Sequence, residues 1–205
     1  MFRRVIDELN QSMKEQVYTL TGQDLYDLKK GFYEKSVEFM GHSKNLTGIT
    51  ELILNLYFNH FLGALHSPYD IQRNYKLVGQ NGRENELDLA FLRPDGGIQA
   101  GISVKRQIGN AGWEKHEKPS PLYDELTSMY QSKNSLIQDL WRLENMKLGP
   151  IGAFPTVTIV FEDVTSVDRG IMKDITKNLP SYDYLVLQTH HKPLFSELKK
   201  KLQMY

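Results

Sequence analysis

Two runs of alternating apolar and polar residues, Asn85-Glu86-Leu87-Asp88-Leu89-Ala90-Phe91 and Gly101-Ile102-Ser103-Val104-Lys105-Arg106, flank a Pro94-Asp95-Gly96-Gly97 turn. That pattern commits the stretch to a β-hairpin. Pro94 pre-sets φ at the first turn position, and Gly96-Gly97 tolerate positive φ. With the turn centred near Gly96-Gly97, equal steps outward set Asp88 opposite Lys105, with Cβ atoms about 4.5–5.5 Å apart. The two-residue strand period puts Glu86 and Asp88 on one face, and Ser103, Lys105 and Gln107 on one face. A carboxylate and a lysine so placed can share a metal ion and a phosphate. The plainer reading is a solvated hairpin face, which alternates in the same way.

The flanking elements decide what the hairpin belongs to. Residues 3–40 read as two polar-faced helices, carrying Val5, Ile6, Leu9, Met13 and Val17, then Leu25, Leu28, Phe32, Val37 and Met40. A third helix, entered through Thr47 or Thr50, is apolar nearly all round and is expected to be buried. Ile71–Val78 adds a strand to the hairpin through the Gly79-Gln80-Asn81-Gly82 turn, completing a three-stranded meander. Beyond a polar loop from Ile108 to Lys118, Ser120-Pro121 opens a helix that should stop before Gly149-Pro150. Thr156–Phe161 is the continuous β-branched run of a strand buried on both faces. A helix from Asp168 to Leu179, a strand from Tyr184 to Leu187 and a helix after Pro193 follow. The order predicts an α/β sandwich with a mixed sheet.

Composition narrows the chemistry. A chain of 205 residues suits one domain, and the lack of cysteine excludes disulfides and thiolate metal sites, as fits a reducing, cytoplasmic setting. No leader and no membrane span are expected. With 25 basic and 25 acidic residues, a nucleic-acid partner would have to meet a local patch, and Arg106, Lys115 and Lys118 form the best candidate. The histidines offer no helix-spaced zinc pair, and there is no nucleophile elbow or phosphate-binding glycine loop.

The order of elements, with Glu51 early in the buried helix, Asp88 in the second strand and Lys105 near the end of the third, resembles the core of the PD-(D/E)xK nuclease superfamily. Asn-Glu-Leu-Asp-Leu followed by Ser-Val-Lys-Arg is similar to the Glu-Ile-Asp…Glu-Val-Lys pattern of several branches. The resemblance spans roughly Thr47 to Leu187. It implies a restriction-endonuclease-like mixed β-sheet core flanked by helices at 47–205, with an N-terminal helical extension at 1–46. It further implies Mg²⁺, or Mn²⁺, held by Asp88, the Val104 carbonyl and a second carboxylate. Lys105 would act on the phosphate and Glu51 would reach the metal through water.

One position departs from the pattern. Where the family usually carries Asp or Glu two residues before the lysine, this chain has Ser103, which supplies no negative charge. One branch of restriction endonucleases looks like Ser/Thr-x-Lys with a glutamate about a dozen residues on. By that resemblance Glu117 is the expected replacement, with Glu125 and Glu114 as alternatives, although each glutamate also reads as an ordinary loop or helix-start acid. The expectation is thus a metal-dependent DNA endonuclease of restriction or phage-defence type, dimeric if it cuts duplex. The alternative is a catalytically degenerate nuclease fold that binds nucleic acid or a partner protein.

Overall fold

The computed structural model describes residues 2–40, 48–109, 125 and 135–204, and their side chains except those of 2–5, 36, 39 and 40. Helices α1 (Phe2–Gln16), α2 (Gly22–Met40) and α3 (Gly48–Ala64) lead into strands β1 (Asp70–Val78), β2 (Glu84–Leu92) and β3 (Ile98–Lys105). There follow α4 (Ser135–Lys147), β4 (Thr156–Val160), α5 (Ser166–Asn178), β5 (Tyr182–Val186), a 3₁₀ turn at Leu187–Thr189 and α6 (Leu194–Lys201). The five strands stand in sequence order in one sheet. β1, β2 and β3 pair antiparallel, whereas β3, β4 and β5 pair parallel. The protein is therefore α/β, with a mixed five-stranded sheet between helices.

Each face of the sheet buries its own core. On one side Leu9, Met13, Leu25, Ile53, Phe58 and Phe61 from the first three helices pack with Leu89, Phe91, Ile102, Val157 and Ile159, and with Leu198 of α6. The expected burial of α3 follows from its position between α1 and α2 and the sheet; Ile53, Tyr57, Phe58 and Phe61 have no exposed surface. On the other side Leu136, Leu140, Leu143, Ile171 and Ile175 of α4 and α5 cover Leu87, Ala90 and Val160. β4 lies between two parallel neighbours and is buried at every residue, as its unbroken Thr-Val-Thr-Ile-Val run demands.

Local chemistry sets the ends of the elements. Thr165 accepts the Asp168 N–H while the Asp168 carboxylate accepts from Thr165, a capping box that starts α5. α4 stops at Lys147 because Gly149 turns back against β1, where an added Cβ would sit 2.5 Å from the Val78 carbonyl. Among the described residues no helix is long and apolar enough to cross a membrane.

Candidate active site at a splay in the sheet

The hairpin closes earlier than its sequence suggests. The Arg93 carbonyl accepts the Gly96 N–H at 2.9 Å, Arg93 N–H donates to the Gly97 carbonyl at 2.7 Å, and Gly96 has φ +82°. The turn thus centres on Asp95, whose carboxylate also accepts the Gly97 N–H at 2.9 Å. Leu92 then faces Ile98, a bulge shifts the register, and Leu89 faces Ile102. Extended by one step, that register sets Asp88 level with Ser103. The expected Asp88–Lys105 pairing is corrected by two residues.

β2 also changes face at Asp88. Leu89 and Phe91 point into the α1–α3 core, whereas Leu87 and Ala90 point into the α4–α5 core. An unbroken strand would keep Leu87 and Leu89 together, so the expected common face of Glu86 and Asp88 is interrupted. On β1 the pairs Arg73–Leu89 and Tyr75–Leu87 bracket Asn74, which has φ +51°. Asparagine is among the few non-glycine residues that enter this region readily. The paired β2–β3 ladder ends at Leu89–Ile102, and beyond it the Asp88 carboxylate accepts the Val104 N–H at 2.7 Å. Because the Lys105 carbonyl accepts the N–H of Phe161, just past the end of β4, alternation turns the Val104 N–H and carbonyl toward β2, into the splay.

A second carboxylate enters from α4. Asp139 is buried, and its Oδ1 accepts from Lys105 Nζ at 3.0 Å, Arg142 Nη2 at 2.7 Å and Ser103 Oγ at 3.0 Å. Its Oδ2 accepts from Thr158 Oγ1 at 3.1 Å. Arg142 also donates to Ser103 Oγ at 2.9 Å and to the Glu86 carbonyl, a backbone group that lies in the splayed part of β2. Ser103 therefore has a role in place of a negative charge: it orients an acid that arrives from another element.

The two carboxyls are tuned in opposite directions. Burial pushes the Asp88 carboxyl up, against the Val104 hydrogen bond and the charges of Arg142 and Lys105, and the Asp139 charge adds to the upward push. Burial would raise Asp139 as well, but Lys105 and Arg142 outweigh it and hold the carboxyl well below the ordinary range. Burial alone would lower the Arg142 guanidinium, yet its contact with Asp139 raises it. The result is an ionised Asp139 beside a more easily protonated Asp88. Above them opens a cleft of about 270 Å³, lined by Asn85, Lys105, Ser135, Gln138, Asp139, Trp141 and Arg142.

Of the residues expected at the site, Asp88, Ser103, Val104 and Lys105 come together here. Glu51 on α3 pairs instead with Arg73 on β1 at 3.5 Å, and it is not among the groups acting on Asp88. Arg106 pairs with Glu162 at 3.4 Å. Glu125 is helical and exposed, while Glu114, Glu117, Lys115 and Lys118 lie outside the described residues. Sequence reasoning passed over Asp139, Arg142 and Thr158. A signal for Asp139 was present, since it interrupts the apolar stripe of Leu136, Ile137, Leu140 and Leu143 on a helix face that had to be buried. Among the described residues no group of three or more His, Cys, Asp or Glu side chains converges as for a metal ion. Comparisons of the chain with protein-family models, with curated proteins and with solved structures return no match.

Proposed function

We propose that the protein is a metal-dependent endonuclease that hydrolyses phosphodiester bonds in DNA, of restriction or phage-defence type, built on a restriction-endonuclease-like fold. One observation carries this reading: Asp139 brings a second carboxylate to Lys105 and Asp88, at the position where Ser103 lacks one. The meander followed by two parallel strands, with Asp88 at a splay in the second strand, agrees with the order that suggested the nuclease class.

The donor set suits Mg²⁺ or Mn²⁺. Asp88, Asp139 and the Val104 carbonyl offer only oxygen, and Mg²⁺ is commonly held by one or two carboxylates, substrate phosphate and water. When bound, the ion lowers the pKa of a coordinated water and polarises the phosphate. Ser103 and Thr158 fix the Asp139 carboxylate from both oxygens, so it cannot rotate away. The Val104 N–H does the same for Asp88. Lys105, partly exposed in the cleft, would offer its ammonium to charge developing on a phosphate bound there. A single site of this kind cuts one strand, so duplex cleavage calls for a homodimer or two successive nicks.

A specific observation favours a second reading, a degenerate nuclease fold that binds nucleic acid without cutting it. Both Asp139 oxygens are already engaged, and two cations already balance the two acids. Incubating supercoiled plasmid with Mg²⁺, Mn²⁺ or EDTA separates the two. The nuclease reading expects metal-dependent nicking that disappears in Asp139→Asn and Lys105→Ala; nicking that persists in either variant removes it.

A further inference from the structure

Asp139 is more deeply buried than its cations. Its side chain is 2% exposed, whereas Arg142 is 23% and Lys105 27% exposed, so of the three charged groups lining the cleft the carboxylate is the most covered. A divalent ion that reaches Asp139 Oδ1 adds two positive charges where two already sit. One donor has to leave. Arg142 cannot escape the repulsion by shedding a proton, because a guanidinium stays charged in proteins. It can yield only by moving. Among the described residues Asp139 is the one acid lining the cleft, with Asn85, Lys105, Ser135, Gln138 and Trp141, while Asp88 and Glu86 act on the guanidinium from the β2 side. A guanidinium displaced into such a space is satisfied by an anion from solution, and its planar fork matches the paired oxygens of a phosphate.

We infer that Arg142 is a latch that exchanges Asp139 for a phosphodiester oxygen, so that the divalent ion and the phosphate group bind together rather than independently. The inference rests on the reading of Asp88 and Asp139 as a metal site and adds an order to its use. While no phosphate is present, the latch competes with the metal for Asp139. Once a phosphate occupies the cleft, it draws the guanidinium outward and opens the carboxylate. By linkage the metal raises phosphate affinity by the same factor that phosphate raises metal affinity.

The experiment titrates Mn²⁺ into the full chain, following free Mn²⁺ by electron paramagnetic resonance, with and without dimethyl phosphate as a non-chelating diester. The diester should raise Mn²⁺ affinity on the order of tenfold in the parent protein, within the usual range for coupled sites. Arg142→Met should bind Mn²⁺ on the order of tenfold more tightly without the diester, and gain nothing from it. Arg142→Gln, which keeps hydrogen-bonding capacity toward Ser103 and the Glu86 carbonyl but no charge, should behave alike and decides the matter if circular dichroism shows Arg142→Met unfolded. Unchanged or weaker Mn²⁺ binding in the folded variant, or a diester effect that survives the substitution, overturns the latch while leaving the metal site standing. Absence of Mn²⁺ binding from parent and variants alike, or binding that survives Asp88→Asn, overturns the metal site itself and the latch with it.

Discussion

Helix α4 buries Asp139 near its start and Lys147, with Glu144, near its end, and the two places are built to opposite ends. Asp139 meets two cations and two hydroxyls at the splay between β2 and β3, beside an open cleft. Lys147, two turns later, is buried with its ammonium on Thr156 Oγ1 at 2.7 Å and the Ser181 carbonyl at 2.8 Å, and 3.4 Å from the centre of the Tyr182 ring. At the first place charge is met by charge and water is near. At the second the cation rests on neutral oxygens and an aromatic face, and burial outweighs the charge of the nearby Glu144 and pushes it down to about 6. The contrast teaches that burial of an ionisable group marks a candidate site where an approach from solution accompanies it. Lys147 reads as a structural staple tying α4 to β4 and the approach to β5.

The largest expected effect is at the charge-balanced end. Asp139→Ala removes the carboxylate that Lys105 and Arg142 share and leaves them the weaker pull of Asp88 and Glu86, and breaking a buried pair in this way costs about 3–5 kcal/mol. Urea unfolding should show the loss. A variant as stable as the parent would mean that the cations relax freely into water, and the two places on α4 would then differ less than argued.

At the Lys147 end the effect is a pH dependence. The folded chain keeps the Lys147 proton only below about 6, while an unfolded chain keeps it up to about pH 10.4. Between those values the unfolded state binds more protons, so this group makes stability climb as pH rises, by at most about 1.4 kcal/mol per pH unit. Comparing denaturation of the parent and Lys147→Met from pH 6.5 to 9.5 isolates the contribution. A slope identical in both proteins would show that Lys147 stays charged and that the staple is ionic.

A finer contrast concerns Asp88. Asp88→Ala leaves the Val104 N–H without its acceptor and should cost about 1–3 kcal/mol, whereas Asp88→Asn keeps an oxygen for that N–H and should melt close to the parent. Both should lose metal-dependent cleavage. Equal stability of the two variants would remove the fixing role given to the N–H. The smallest expected change is Ser103→Ala, about 0.5–1.5 kcal/mol for one hydroxyl among four donors to Asp139, with cleavage reduced rather than lost. Were it as inactive as Asp88→Asn in the plasmid assay, the hydroxyl would have a direct part in the chemistry.

Much of this molecule was legible before any coordinates. The helix after Pro193, the buried character of α3 and β4, and the meander rest on periodicity and turn chemistry, which act over a few residues; the helix start expected at Ser120-Pro121 lies outside the described residues. The site was legible only in part. Asp88, Lys105 and the serine between them sit on neighbouring strands joined by one turn, so sequence proximity served as a guide. It failed by two residues in register, because the Asp95 carboxylate moves the centre of the turn and a bulge follows. The replacement carboxylate was sought a dozen residues past Lys105 on the strength of a resemblance. Asp139, the acid that does meet Lys105, lies 36 positions after Ser103.

The sequence by itself determined the layers: which segments are helix or strand, which faces are apolar, and that a carboxylate and a lysine share one hairpin. Those properties follow from local sterics and from the spacing of side chains that must leave water. Only the tertiary structure decided that α4 brings Asp139 onto Ser103 and Thr158, that β2 turns the Asp88 carboxylate to the Val104 N–H, and that Arg142 pairs with that acid at the wall of a cleft. Each of these is a contact between residues far apart in the chain, selected by how the packed layers bury charge. No local pattern encodes which of many distant acids will meet a given lysine.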